Sequence, residues 1–170
     1  RIISFPKERK KLINLGISKL KKKSKFNKIS NIAGGESAGI PFAAFIAQKL
    51  NLPMTYIRKE KKKFGKSSQI EGLLNKEDNV LLAEDLMTDG GSKLRFLDAI
   101  HKLGANISGI FVIFNYGIIK DYYIFKKKKI EVIFLTEWSN VLNVALRKKL
   151  LTNEEVGIIN SFLEKLKVKS

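Results

Sequence analysis

The chain has 170 residues, of which 44% are hydrophobic, and this favours a globular protein with a buried core over a disordered one. It has no cysteine, which excludes disulfide bonds and thiolate metal sites and is compatible with the cytoplasmic location that we expect. The formal net charge of +17 attracts anions, so nucleic acid, membrane headgroups and phosphorylated metabolites are all possible partners. No apolar run has the length of a membrane span, and we expect no membrane partner.

The first part of the chain predicts two helices and two strands. Residues 5–23 carry apolar side chains at helical spacing, with Pro6 near the start, where its missing N–H is harmless. Residues 29–33 form a short apolar run that predicts a strand, and a helix is predicted at about residues 39–50. A second strand is predicted at residues 53–57.

A long surface loop is predicted from residue 58 to residue 74. This segment is polar, rich in lysine and without an amphipathic period. Loops of this length that lack secondary structure are usually functional or mobile.

The rest of the chain alternates between strands and helices. Apolar runs predict strands at residues 79–83, 108–115 and 130–135. Amphipathic segments predict helices at residues 92–103, about 137–148 and about 154–167, and a turn is predicted at residues 86–91. This alternation predicts an α/β fold with a mainly parallel central sheet flanked by helices, in a single domain over residues 1–170.

The strand at residues 79–83 is followed by two acids and a flexible turn. These residues are Glu84, Asp85, Leu86, Met87, Thr88, Asp89, Gly90, Gly91 and Ser92. Ligands of open α/β sheets bind beyond the carboxyl ends of the strands. There, the two carboxylates could each accept a hydrogen bond from one hydroxyl of a vicinal diol, while the turn offers hydroxyls and backbone N–H groups to an anion. A diol next to a phosphate describes a ribose 5-phosphate; the alternative is an ordinary βα turn with an acidic N-cap.

A second glycine-rich turn follows the first predicted strand. It consists of Gly34, Gly35, Glu36, Ser37 and Ala38. Its glycines would let backbone amides approach a pyrophosphate closely. By itself this motif has low specificity, but the two turns together predict two phosphate-facing loops at the ends of two parallel strands.

The strand, acid pair and T-D-G-G-S turn resemble the signature of the type I phosphoribosyltransferases. Residues 52–72 resemble the strand and mobile catalytic loop of the orotate phosphoribosyltransferases, with Arg58, Lys59 and Lys62 at the basic positions of that pattern. Residues 1–10 resemble the bacterial, especially the alphaproteobacterial, branch. The resemblance covers nearly the whole chain and is weakest after about residue 120.

The chain departs from the family pattern at three positions. Phe64 stands where many members have a histidine, and Ala38 stands where some have a lysine. Tyr116 takes the place of an arginine that binds the orotate carboxylate in many members. In the family, a helix and a hairpin precede the position of Arg1, and we expect this chain to lack them.

The resemblance implies transfer of the phosphoribosyl group of 5-phospho-α-D-ribose 1-diphosphate to orotate in pyrimidine (UMP) biosynthesis, giving orotidine 5′-phosphate and diphosphate. It implies that Lys62 and Asp85 are catalytic and that Thr88 also contacts orotate. The donor would be bound by Arg58, Lys59, Lys62, Glu84, Asp85, Leu86, Met87, Thr88, Asp89, Gly90, Gly91 and Ser92. Residues Gly34, Gly35, Glu36, Ser37 and Ala38 would hold the diphosphate.

The resemblance also implies Mg²⁺ as a cofactor, held mainly by the substrate and not by a protein metal site. It implies a homodimer in which the loop at residues 59–72 reaches the neighbouring active site.

Two other functions remain open at this stage. The chain could be a phosphoribosyltransferase that acts on a purine or on uracil, although the loop from Arg58 to Gly72 favours orotate. It could also be a regulator of the same fold that binds RNA through a basic face. Because lysine is spread over the whole chain, we favour general enrichment and do not expect a nucleic acid partner.

Overall fold

The computed structural model describes residues 2–60, 68–88, 91–117 and 125–169. Its strands are β1 (Asn31–Gly35), β2 (Met54–Ile57), β3 (Ile70–Glu71), β4 (Asn79–Met87), β5 (Asn106–Asn115) and β6 (Val132–Glu137). They form one six-stranded sheet in the order β3-β2-β1-β4-β5-β6. The pairs of β1 with β2, β1 with β4, β4 with β5 and β5 with β6 are parallel, and β2 with β3 is antiparallel. This confirms the predicted, mainly parallel α/β sheet.

The longer helices flank this sheet. They are α1 (Pro6–Lys21), α2 (Gly39–Leu50), α3 (Gly91–Lys102), α4 (Trp138–Arg147) and α5 (Asn153–Lys169), and short 3-10 turns lie at Ile2–Ser4 and Phe26–Lys28. Each of the five predicted helices is therefore present, with bounds that shift by a few residues. Among the residues that the structure describes, no helix combines the length and the apolar character needed to cross a membrane.

Two hydrophobic clusters fill the space between the sheet and the helices. In one, helices α1 and α2 pack against strand residues that include Ile32, Leu81 and Phe111. In the other, helix α3 packs against residues that include Val80 and Leu82. Because successive side chains of a strand point to opposite faces, neighbouring residues of β4 belong to different clusters. This alternation also decides where the acids at the end of β4 lie.

The structure differs from the prediction at three places. Strand β1 continues to Gly35, because its backbone pairs with β2 as far as the Gly35–Ile57 pair, so Gly34 and Gly35 belong to the strand and not to the turn predicted after it. Strand β4 continues through Glu84 and Asp85 to Met87, because its backbone pairs with β5 as far as the Met87–Asn115 pair. The turn that was predicted to begin at Leu86 therefore starts later. Strand β3 lies inside the segment predicted as a loop and has only two residues, which is too short to give a hydrophobic period.

Several predicted functional residues lie outside the described residues. These are Lys62 in the basic loop, together with Phe64, and Asp89 and Gly90 in the turn before α3.

Candidate active site

The parallel strands end at one edge of the sheet, and the candidate site lies there. Strands β1 and β4 are hydrogen-bonded neighbours, so the glycine-rich turn after β1 lies beside the acids at the end of β4. The carboxyl end of β2, which leads to Arg58, lies on the other side of β1. The topology therefore brings both predicted phosphate loops and the start of the basic loop to one edge, as expected for a ligand site of an open α/β sheet.

Glu84 is buried and forms an ion pair with a lysine from helix α3. Its carboxylate is directed toward the first turn of α3, where Lys93 Nζ lies 3.3 Å from Glu84 Oε2. Only 5% of the Glu84 side chain and 9% of the Lys93 side chain are exposed. Lys93 Nζ also donates a hydrogen bond of 3.3 Å to Ser92 Oγ. The end of β4 and the start of α3 are thus joined by a charged contact that is shielded from water.

Gly35 at the end of β1 and Gly39 at the start of α2 lie directly against the Glu84 carboxylate. A Cβ atom at Gly35 would overlap Glu84 Oε1 and the Phe96 ring. A Cβ atom at Gly39 would lie 2.7 Å from the Ala83 carbonyl oxygen and 3.2 Å from Glu84 Oε1. Glycine is therefore required at both positions for the turn between them to approach β4 so closely.

The pKa of Glu84 is raised from 4.5 to about 7 by the combined effect of its surroundings, of which burial is the largest. The nearby charge of Asp85 also raises it, whereas the ion pair and hydrogen bond with Lys93 and the backbone N–H of Gly35 lower it. The desolvation effect is the largest, so the Glu84 carboxyl group titrates close to neutral pH despite its cationic partner.

Asp85 lies on the opposite side of the strand from Glu84 and faces a cavity of about 300 Å³. The lining is mainly apolar and consists of Ile2, Ile3, Ala38, Pro41, Phe42, Asp85, Leu86, Ile113, Phe114 and Tyr116. This volume is at the lower end of the range of small-molecule sites, which are typically apolar with a few polar groups. The two acids of the motif are therefore not equivalent: one is held in an ion pair, and the other borders a cavity.

Tyr116 is held at the edge of this cavity by an aromatic cluster. Its ring packs edge-to-face on Phe114 and Trp138, with centroid distances of 5.5 Å and 5.8 Å. Its backbone N–H donates a hydrogen bond of 2.9 Å to the Met87 carbonyl oxygen. Because both the ring and the backbone are fixed, the lining at this point has a defined shape.

The glycine-rich turn is also connected to the start of the basic loop. Glu36 Oε2 accepts a hydrogen bond of 2.7 Å from the backbone N–H of Lys59, and the Glu36 N–H donates one of 2.9 Å to the Ile57 carbonyl oxygen. The Arg58 guanidinium lies 3.6 Å from Glu71 Oε1, and this contact directs it toward the outermost strand β3. The Arg58 side chain and the Lys59 backbone are thus each held by a neighbouring acid.

All of the predicted site residues that the structure describes are brought to this one region. Those around the sheet edge are Gly34, Gly35, Glu36, Ser37, Ala38, Arg58, Lys59, Glu84, Asp85, Leu86, Met87, Thr88, Gly91 and Ser92. Met87 is only 1% exposed and is part of the core, so a ligand at this edge could meet its backbone but not its side chain. Among the described residues, no group of three or more His, Asp or Glu side chains is arranged to hold a metal ion.

Sequence reasoning did not identify Lys93 as part of the site. A signal for it exists, because Lys93 precedes Leu97 and Ile100 at helical spacing, on the stripe of α3 that faces the core. A lysine on such a stripe must be paired or must reach solvent. In a chain with 33 Lys and Arg residues, that signal is easily overlooked.

Comparisons with known proteins agree with this geometry. The family model described as the phosphoribosyl transferase domain matches residues 7–141. The fold is similar to that of the orotate phosphoribosyltransferase of Aeropyrum pernix, with a TM-score of 0.73 and 21% identity over 84% of this chain and 78% of that one. It is also similar to the Leishmania donovani UMP synthase, with a TM-score of 0.81 and 20% identity over 97% of this chain and 35% of that one. The chain therefore has the phosphoribosyltransferase fold and belongs to the phosphoribosyl transferase domain family.

Proteins with similar sequences identify the family more narrowly than the fold does. The orotate phosphoribosyltransferase of Dinoroseobacter shibae is 42% identical over 96% of this chain and 73% of its own length. That of Cereibacter sphaeroides is 49% identical over 71% of this chain and 52% of its own length. The chain belongs to the orotate phosphoribosyltransferase family, and the predicted resemblance to its alphaproteobacterial members is confirmed.

The raised pKa of Glu84 predicts how the stability of the protein depends on pH. Because the folded protein holds this proton up to about pH 7 and the unfolded chain only to about pH 4.5, burial of Glu84 weakens the fold progressively as the pH rises through this window. Relative to a Glu84→Gln variant, the wild type should lose roughly 3 kcal/mol of unfolding free energy across it.

Urea denaturation of both proteins between pH 4.5 and pH 8 measures this difference, with Glu154→Gln, which removes an exposed acid of α5, as the matched control. A difference between wild type and Glu84→Gln that stays constant over this range would contradict the predicted titration.

Proposed function

We propose that this chain transfers the phosphoribosyl group of 5-phospho-α-D-ribose 1-diphosphate to orotate, forming orotidine 5′-phosphate and diphosphate in pyrimidine biosynthesis. One observation carries the proposal: the two turns proposed to bind phosphate, the Asp85 carboxylate and a cavity of about 300 Å³ lie together at one edge of the sheet. The names of its relatives support orotate as the acceptor.

The donor would bind across this edge. Its 5′-phosphate fits the turn from Thr88 to Ser92, because helix α3 begins at Gly91 and the positive end of its dipole faces that turn. The ribose hydroxyls fit the carboxylates of Glu84 and Asp85. The diphosphate fits the backbone of Gly34, Gly35, Glu36, Ser37 and Ala38, which is open because of its glycines.

The base would occupy the cavity beside Asp85. A mostly apolar lining that includes Ala38, Phe42, Leu86 and Phe114 suits the ring of a pyrimidine. Tyr116 lies at the position where many family members bind the orotate carboxylate through arginine. We propose that the Tyr116 hydroxyl and Thr88 supply polar contacts to orotate in this chain.

The chemical difficulty is to break the C1–oxygen bond of the donor. Positive charge then develops on the ribose ring while negative charge accumulates on the leaving diphosphate. Asp85 would stabilise the ring, and Arg58, Lys59 and Lys62 would bind the leaving group more strongly as its charge grows. Contacts that strengthen in this way lower the barrier and do not merely tighten substrate binding.

Mg²⁺ is the proposed cofactor, held mainly by diphosphate and ribose oxygens of the donor. The oxygen donors of the substrate and the carboxylate of Asp85 are of the type that Mg²⁺ prefers. When bound, the ion would supply positive charge to the diphosphate. A cytoplasmic location is proposed as well, since a chain without cysteine suits a reducing compartment.

Orotate absorbance, followed in the presence of donor and Mg²⁺, tests the proposed reaction. We expect orotate to be consumed and uracil, adenine, guanine and hypoxanthine to remain. Lys62→Ala should lower turnover by about two to four orders of magnitude, because it removes a cation from the leaving group. Lys148→Ala, which removes an exposed lysine after α4, is the matched control and should leave turnover unchanged.

Two results would overturn the proposal. Consumption of another base would assign a different acceptor. No turnover of any base, combined with salt-sensitive binding of RNA, would favour the regulator suggested by the charge of +17.

We also propose a homodimer in which residues 59–72 of one subunit complete the active site of the other. Lys62→Ala and Asp85→Asn subunits should each be nearly inactive alone. Mixed by unfolding and refolding together, they should regain about a quarter of wild-type activity, because half of the dimers are then mixed and one of the two sites in each is intact. A mixture that is no more active than its components would contradict a shared site.

A further inference from the structure

Lys93 occupies a place that ordinary folding energetics do not favour. It lies in the first turn of α3, where the helix dipole disfavours a cation, and its side chain is directed to the interior. A buried ion pair rarely adds stability compared with apolar side chains of similar volume. Its presence here therefore calls for a role other than stabilising the fold.

Glu84, the partner of Lys93, has one carboxylate oxygen that does not contact the lysine. Glu84 Oε2 contacts Lys93 Nζ, whereas Oε1 is buried and receives no hydrogen bond of good geometry within the described part of the chain, although the Gly35 N–H lies near the carboxylate. Oε1 lies against Gly35 and Gly39, at the two ends of the proposed diphosphate turn. A buried acceptor of this kind is costly unless a donor reaches it. Hydroxyl groups of a sugar bound at this edge would be such donors.

We propose that Lys93 is a positioning residue for phosphoribosyl transfer, which allows Glu84 to ionise near neutral pH and fixes its Oε1 oxygen to accept a hydrogen bond from a ribose hydroxyl of the donor. This inference rests on the function proposed above and extends it to a residue that does not itself touch the substrate. The acid would bind the ribose and the lysine would set its charge and orientation.

The groups around Glu84 explain why this lysine matters. Burial and the charge of the adjacent Asp85 both favour the protonated acid. Lys93 and the backbone N–H of Gly35 favour the carboxylate, and Phe96 contributes only apolar surface. If Lys93 is replaced by a neutral side chain, two of the remaining influences favour protonation and only the backbone N–H opposes them. At neutral pH, Glu84 would then carry a proton, and Oε1 would lose its fixed charge.

The pH profile of kcat/KM for the donor tests this role in the Lys93→Met variant. We expect the acid limb to move upward by at least one pH unit, with activity about tenfold lower at neutral pH and recovering as the pH rises. Lys93→Arg should restore much of the wild-type profile because it keeps the cation. Lys102→Met, at the exposed end of the same helix, should leave the profile unchanged.

Two outcomes of this experiment would overturn the inference. One is a Lys93→Met profile that superimposes on that of the wild type. The other is a profile lowered by the same factor at every pH, which would indicate a merely structural role.

A measurement without turnover separates this inference from the proposed reaction. NMR of protein labelled with ¹³C at the glutamate carboxyl carbons, with Glu84→Gln for assignment, follows the titration of Glu84 directly. The pKa of Glu84 should be higher in Lys93→Met than in the wild type. This should hold even if the wild type consumes no base, and in that case only the proposed reaction would be wrong. An unchanged titration overturns the inference. If Lys93→Met fails to fold, Lys93→Gln keeps the test available with a polar side chain of smaller volume.

Discussion

The buried contact between Glu84 and Lys93 is the interaction on which the geometry of the site depends. Removing Glu84 would leave the charge of Lys93 unpaired away from water, which typically costs about 3–5 kcal/mol. The pair therefore fixes the end of strand β4 relative to the first turn of helix α3. Because the end of β1 packs against the same carboxylate through Gly35, one acidic side chain sets the relative position of both proposed phosphate loops.

A second consequence is a division of roles between adjacent acids. The extended backbone of β4 directs Glu84 toward α3 and Asp85 toward the cavity on the other side. The buried acid can hold a ribose hydroxyl in a fixed direction, while the more exposed acid can respond to charge on the ring. The proposed function uses this difference, since binding the ribose and stabilising its transition state are separate tasks.

Much of the fold could be predicted from local patterns. The apolar runs at β4 and β5 lie inside a parallel sheet and are largely buried, and such strands carry their signal in nearly every residue. Strand β3 could not be found in this way, because its two residues are defined only by their antiparallel pairing with Tyr56 and Ile57. The end of β4 was placed too early for a similar reason: acids are poor strand formers, and only pairing with β5 extends the strand through them.

In the candidate site, too, the features with a local sequence signature could be predicted, and those that depend on tertiary contacts could not. The acid pair and the glycine-rich turns have local signatures, so their predicted places at the sheet edge agree with the structure. The contact of Lys93 with Glu84 and the packing of Tyr116 against Trp138 depend on tertiary structure. Neither could be deduced from spacing, because the partners belong to different elements and their residue types are compatible with a solvated surface.

The central claim is that the edge formed by β1, β4 and α3 binds a sugar phosphate around the Glu84–Lys93 pair. A crystal structure of the protein with ribose 5-phosphate tests it most directly. We expect a phosphate group at the first turn of α3, a ribose hydroxyl within hydrogen-bonding distance of Glu84 Oε1, and Lys93 still bound to Oε2. A ribose 5-phosphate bound elsewhere, or bound here with Glu84 turned away from Lys93 and the sugar, would contradict it.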